Sequence, residues 1–138
     1  MVLTRTLRNF FDNSHEHLLS NQTHHMDKGF SETLLDIIDA HGMTDSECYK
    51  KAHIDRKLFS KIRSDPAYRP SKATVVCFIL ALELNLDDAQ ELLRRAGYTL
   101  SRSSKFDVII SFFIENRIYN IYTVNEALLE YDQLLLGC

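Results

Sequence analysis

From Ser31 to Thr123 the chain is punctuated by side chains that can cap a helix N-terminus, each followed by an apolar run of helical period. A cap satisfies backbone N–H groups that the first turn leaves without partners, so a series of caps fixes where helices begin. Ser31 precedes the stripe Leu34, Leu35, Ile37 and Ile38, which ends near Gly42. Thr44 with Glu47 forms a capping box for a helix at about 45–52. Asp55 opens the next helix, with Ile54 and Phe59 at the two positions of a hydrophobic staple, and Pro66 marks its limit. Ser71 opens the strongly apolar 74–84 stretch. Asp87 with Gln90 starts a fifth helix that stops at Arg94 and Arg95 ahead of Gly97. Ser104 opens a helix through Phe106, Ile109, Ile110 and Phe113; Val108 and Phe112 make it apolar nearly all round, as in a helix buried on both sides or set in an interface. Thr123 with Glu126 begins the last helix, with Val124, Ala127, Leu128, Tyr131 and Leu135 on one face and Gly137 as its stop. With only four Gly and two Pro in 138 residues, the turn-rich alternative of an all-β chain is disfavoured. The expectation is an all-α fold.

Residues 1–29 read as an N-terminal amphipathic helix, with Leu3, Leu7, Phe10 and Phe11 on one face, followed by a polar linker. The stretch has Arg5 and Arg8 but no apolar run of a secretory signal, and no segment of the chain approaches a membrane span. Cys48, Cys77 and Cys138 are odd in number, widely spaced and form no Cys-x-x-Cys pair, which reads as free thiols in a reducing cytoplasm. The expected location is cytoplasmic, with no membrane partner.

The ordered combination of five helices with a very short second-to-third connection resembles the phage-repressor family (Cro/repressor, or XRE type). The resemblance runs through GMTDSECYKKAHIDRKLFSKIRSDPAYRPSKATVVCFILALELNL, about a third of the chain. Cys48, Ala52, Ile54, Phe59 and Ile62 stand where that family packs its second and third helices together. Tyr68–Ser71 is similar to its basic-then-Pro-Ser entry to helix four. The fold so implied is a five-helix lambda-repressor-like helix-turn-helix bundle over 30–99, with a two-helix C-terminal extension over 100–138. The block Phe30–Gly137 also resembles, more weakly, a helical module appended to bacterial multidomain proteins, macrodomain proteins among them. Four residues depart from the repressor pattern: Asp45 replaces a DNA-contacting Gln, Tyr49 a small residue and His53 a turn Gly. Leu58 places an apolar side chain at an outward position.

Charge supports the DNA-binding side of the resemblance. Residues 44–72 carry eight Lys/Arg against four acids, a local net of +4, leaving −7 for the remainder of a chain whose total is −3. Duplex binding begins with phosphate neutralisation and continues with side chains set against base edges. The resemblance assigns groove-facing positions on the 55–64 helix to Arg56, Lys57, Ser60 and Lys61. Lys50, Arg63, Arg69 and Lys72 complete the expected DNA-binding set. The expected function is a transcriptional DNA-binding regulator, acting as a homodimer through the extension or the N-terminal helix. The competing reading is a protein-binding regulator or inhibitor (an adaptor, an antitoxin-like or a phage anti-defence protein) with Tyr49, Leu58, Phe112 and Phe113 as partner or dimer surface.

Catalysis finds no motif. There is no Gly-rich phosphate loop, no Gly-x-Ser-x-Gly elbow and no His-Glu-x-x-His. The tract His15-Glu16-His17 and His24-His25 lacks the converging four-ligand spacing of a structural zinc site. No enzyme activity, cofactor or metal is expected.

Overall fold

The structure, a computed structural model, describes residues 28–137. They form seven helices and no strand: α1 (Phe30–Ala40), α2 (Asp45–Lys51), α3 (Arg56–Ser64), α4 (Lys72–Ala81), α5 (Leu86–Arg95), α6 (Lys105–Glu115) and α7 (Ile121–Glu130). The N-terminal helix and linker expected over 1–27, the histidine tract and Cys138 lie outside the described residues. No helix among those described is long and apolar enough to cross a membrane.

The centre of the fold is α4. Every residue from Val75 to Leu82 is at most 4% exposed. A helix apolar on all sides has no face to give to water, so other helices must enclose it. α2 and α5 pack directly on α4, α1 packs on both α3 and α5, and α6 connects α5 to α7. Phe78 is the hub, its ring tilted against Phe30 of α1 at 6.3 Å and Phe59 of α3 at 6.2 Å.

Thr44, Asp55, Ser71 and Ser104 cap their helices as the sequence predicts, each accepting from a backbone N–H three residues on. At α2 the Thr44 hydroxyl also donates to the Glu47 carboxylate, 3.2 Å away. Three helices start earlier than predicted. α1 is preceded by Gly29, and Ser31 lies inside the helix with its hydroxyl buried and without a hydrogen bond. Asn85, not Asp87, caps α5, and Asn120, not Thr123, caps α7. In both places the Asn is followed by an apolar residue, Leu86 or Ile121, that belongs to the helix. The downstream box residues are simply part of the first turn.

The helix ends carry a feature the composition conceals. All helices except α3 close in the same way, with a residue in the left-handed region donating to a carbonyl three back and the next residue donating five back. This is the Schellman arrangement, which satisfies two terminal carbonyls at once. Only Gly42 and Gly97 meet its need for positive φ with glycine; His53, Glu83, Arg117 and Asp132 adopt φ between 51 and 58 instead. α3 ends differently, at an extended Asp65 before Pro66. α7 stops at Glu130 rather than running to Gly137, and residues 131–137 turn back as a tail.

Five polar fastenings hold the loops. Arg69 Nε donates to Ala96 O at 2.9 Å, at the C-terminal end of α5, and its guanidinium lies 4.7 Å from the Tyr98 ring centroid. Gly97 has φ +86, and a Cβ there would sit 3.0 Å from Arg69 Nη2, so a side chain here would be strained and would have to displace the Arg69 guanidinium. Tyr98 OH donates to Pro70 O at 2.7 Å, and Tyr119 OH to Leu84 O at 2.8 Å. Lys72 of α4 pairs with Asp107 of α6 at 2.6 Å. The Asn125 amide exchanges two hydrogen bonds with the backbone of Leu136, at 2.8 and 3.1 Å, seating the buried Leu136 against α7.

The Arg117 side chain is exposed and makes no hydrogen bond or ion pair among the described residues. Arg117→Gly is therefore expected to stabilise the protein by roughly 0.5–1 kcal/mol, the left-handed penalty less the unfolded-state entropy of glycine. A Tm raised by a few degrees is the expected readout; an unchanged or lowered Tm would show that the helix end carries no such strain.

Candidate nucleic-acid interface

The α2–α3 pair takes its geometry from three features of the sequence. Thr44 and Asp55 set the two starts, and His53, at φ +58, turns the chain between them. The glycine-like conformation at this turn is therefore kept although the residue is histidine. His53 is held there from outside: the Tyr122 ring meets it edge-on at 5.3 Å, and Gly137 packs so closely that a Cβ would lie 3.0 Å from His53 Cβ.

On α3, Phe59 and Ile62 are buried, Leu58 is half-buried, and Arg56, Lys57, Ser60, Lys61, Arg63 and Ser64 are exposed. At 3.6 residues per turn these six exposed residues fall within an arc of roughly 160° opposite the buried side. The helix thus presents one continuous polar and basic face. Lys50 is exposed on the neighbouring α2.

The eight residues expected to meet DNA divide into two groups. Arg56, Lys57, Ser60, Lys61 and Lys50 have no side-chain hydrogen bond or ion pair among the described residues, and all are exposed. Arg63, Arg69 and Lys72 are committed within the fold. Arg63 Nε lies 3.1 Å from an Asp45 carboxylate oxygen, joining α3 to α2. Arg69 fastens the end of α5 as described. Lys72, 28% exposed, faces the 3%-exposed Asp107; the approach is off the hydrogen-bonding direction, so the contact is chiefly coulombic. Asp107 also accepts from Ser101 N at 2.7 Å. Asp45, a departure from the repressor pattern, therefore has an internal use: it orients Arg63.

The expected partner surface is rearranged. Tyr49 is half-buried, its ring 5.5 Å from Phe59. Leu58 faces a cavity of about 340 Å³ beneath the tail, shared with His53, Ala73, Cys77 and Leu135. Phe113 is 7% exposed and belongs to the core, whereas Phe112 is 54% exposed. α6 is thus buried on one side only. What periodicity did not reveal is that its acid goes inward, to Lys72, while Val108 and Phe112 go outward. The lone carboxylate in the first turn of an otherwise apolar helix was the available signal.

Cys48 is buried, and its thiol is pushed up to about 11, first by that burial and second by the Asp45 carboxylate, with Lys51 opposing. It carries negligible thiolate at neutral pH. Among the described residues no group of three or more His, Cys, Asp or Glu converges as a metal site.

Comparison of the chain with protein-family models, with curated proteins and with solved structures found no match.

Lys72→Met removes the cation facing a buried carboxylate. A loss of about 2–3 kcal/mol in urea unfolding is expected, the cost of a buried charge left without its partner. A loss below ~0.5 kcal/mol would place this contact with ordinary surface pairs.

Proposed function

We propose that the chain is a DNA-binding helix-turn-helix regulator of transcription. In this reading α1–α5 form a repressor-like five-helix bundle over 30–99, and α6 and α7 form an extension over 100–138. α3 is the helix that enters the major groove. The observation that carries the reading is the division of the cations: on the exposed face of α3 Arg56, Lys57 and Lys61 remain available, while Arg63 on that face, and Arg69 and Lys72 beyond it, are held in contacts within the fold. Arg56 and Lys57, at the N-terminal end of α3, are the base-reading candidates, each able to pair with guanine acceptors for roughly 1–3 kcal/mol of discrimination when bidentate. Lys61 and Lys50 neutralise phosphates. Four such cations are few for a chain of net charge −3, so a homodimer that doubles them belongs to the proposal.

The experiment is a titration with mixed genomic duplex DNA at low and near-physiological salt. About four phosphate contacts predict roughly a hundredfold loss of affinity between about 50 and 200 mM salt. Replacing Arg56 and Lys57 together by Ala is expected to abolish selection among sequences and leave stability unchanged. Arg69→Met should do the reverse, lowering stability without changing the salt slope. No binding at low salt, or unchanged selection in the Arg56/Lys57 variant, would reject the assignment.

One observation favours the second reading, a protein-binding regulator. All the exposed large apolar residues among those described, from Val108 to Leu135, lie on α6, α7, their connection and the tail. Patches of this kind mark interaction surfaces. If the extension joins two copies, Phe112→Asp should convert a dimer into a monomer in sedimentation. A chain already monomeric before the substitution would remove the homodimer.

A further inference from the structure

Between α6 and α7 runs a groove of about 530 Å³ whose walls and end differ sharply in chemistry. Val108 and Phe112, 48% and 54% exposed, form one wall, and Tyr131 stands opposite. Phe113 meets Phe112 edge-on at 5.5 Å, and both line the groove. The walls offer no charged group. One end is closed by the segment 102–105, which brings Arg102 and Lys105 together with the hydroxyls of Ser103 and Ser104.

That end is positive without internal compensation. The Arg102 and Lys105 side chains are exposed and have no ion pair or hydrogen bond among the described residues. The carboxylate in the first turn of α6, Asp107, points the other way, buried and paired with Lys72. From Lys105 to Phe112 the helix rises roughly 10 Å, the reach of a small extended molecule. The volume lies in the range of about 300–1,000 Å³ that small-molecule sites occupy, with a mostly apolar lining and a few polar groups gathered at one place.

We propose that this groove binds a free amphiphilic carboxylate. Its head lies between Arg102 and Lys105, and its unbranched apolar chain runs along Val108, Phe112 and Tyr131. Two cations at one end give charge-assisted hydrogen bonds to a single carboxylate. They are fewer than the cluster of basic residues that holds an anionic membrane surface. The chain covers apolar surface that is otherwise left in water. The proposal is independent of any contact with DNA.

The test uses the full-length chain and sodium decanoate kept below its micelle-forming concentration. Backbone-amide NMR shifts and Tm are followed together. Decanol supplies the same chain without the charge, and butyrate the charge without the chain. Decanoate is expected to saturate one site, with shifts confined to 102–113 and 127–131, and to raise Tm as bound ligand does. Arg102→Glu combined with Lys105→Glu should weaken it by at least about tenfold, as should Phe112→Ser, with helicity unchanged in both. Three results would each overturn the proposal. The first is a shift that never saturates. The second is decanol binding as tightly as decanoate, with no effect of charge reversal. The third is a groove closed to decanoate because a second copy or residues 1–27 already fill it.

Discussion

The run Val75–Leu82 cannot be placed anywhere except the middle of this protein. Each of its side chains is apolar and none reaches water, so the surrounding helices are obliged to supply an apolar face in every direction. α1 offers Phe30, Leu34 and Ile38, α2 offers Cys48, and α3 offers Phe59 and Ile62. α5 contributes Ala89, Leu92 and Leu93. Each of these helices is amphipathic because it has only one side to give. The outward face of α3 follows from the same constraint: with Phe59 and Ile62 committed to the core, its remaining positions must be ones that tolerate solvent. A basic face on that helix is the polar residue of a packing problem before it is a binding surface.

Most of this was readable in advance. Thr44, Asp55, Ser71 and Ser104 could be recognised because an oxygen-bearing side chain directly preceding an apolar stripe has one main structural use. Asn85 and Asn120 were missed because a better-known pattern, a box ending in Gln90 or Glu126, lay just downstream and matched equally well on paper. The stops were harder. Glycine past a helix end is a visible signal, but His53, Glu83, Arg117 and Asp132 take the same backbone conformation without announcing it, since the hydrogen bonds of the helix end hold them there. The overrun of the last helix to Gly137 has this origin.

On α3 the resemblance named Arg56, Lys57, Ser60 and Lys61 individually, and all four are exposed; the rest of the candidate site was legible only as composition. A local net of +4 over residues 44–72 is a statement about the sequence, whereas the fold redistributes those charges according to which acids lie nearby in space. Asp107 takes Lys72 from 35 residues away, and Asp45 takes Arg63 across two helices. The Ala96 carbonyl takes Arg69. No pattern within one helix discloses such pairings. The same long-range bookkeeping turned Asp107 inward and Phe112 outward, reversing the order that hydrophobicity alone would assign.

Gly137 comes to rest against His53, beside the turn that leads into α3. Gly137 shares with Asp55 and Leu58 the lining of the cavity beneath the tail, so a probe attached at position 137 would sit next to both. A fluorophore placed there would report on the environment of that cavity at short range. A bulky group at the same position would press on the His53 turn, which leads into α3, rather than on the exposed basic face of that helix. A label or affinity tag intended to be silent belongs elsewhere on the molecule, and the exposed far end of the α6–α7 connection, near Arg117, is the better attachment point.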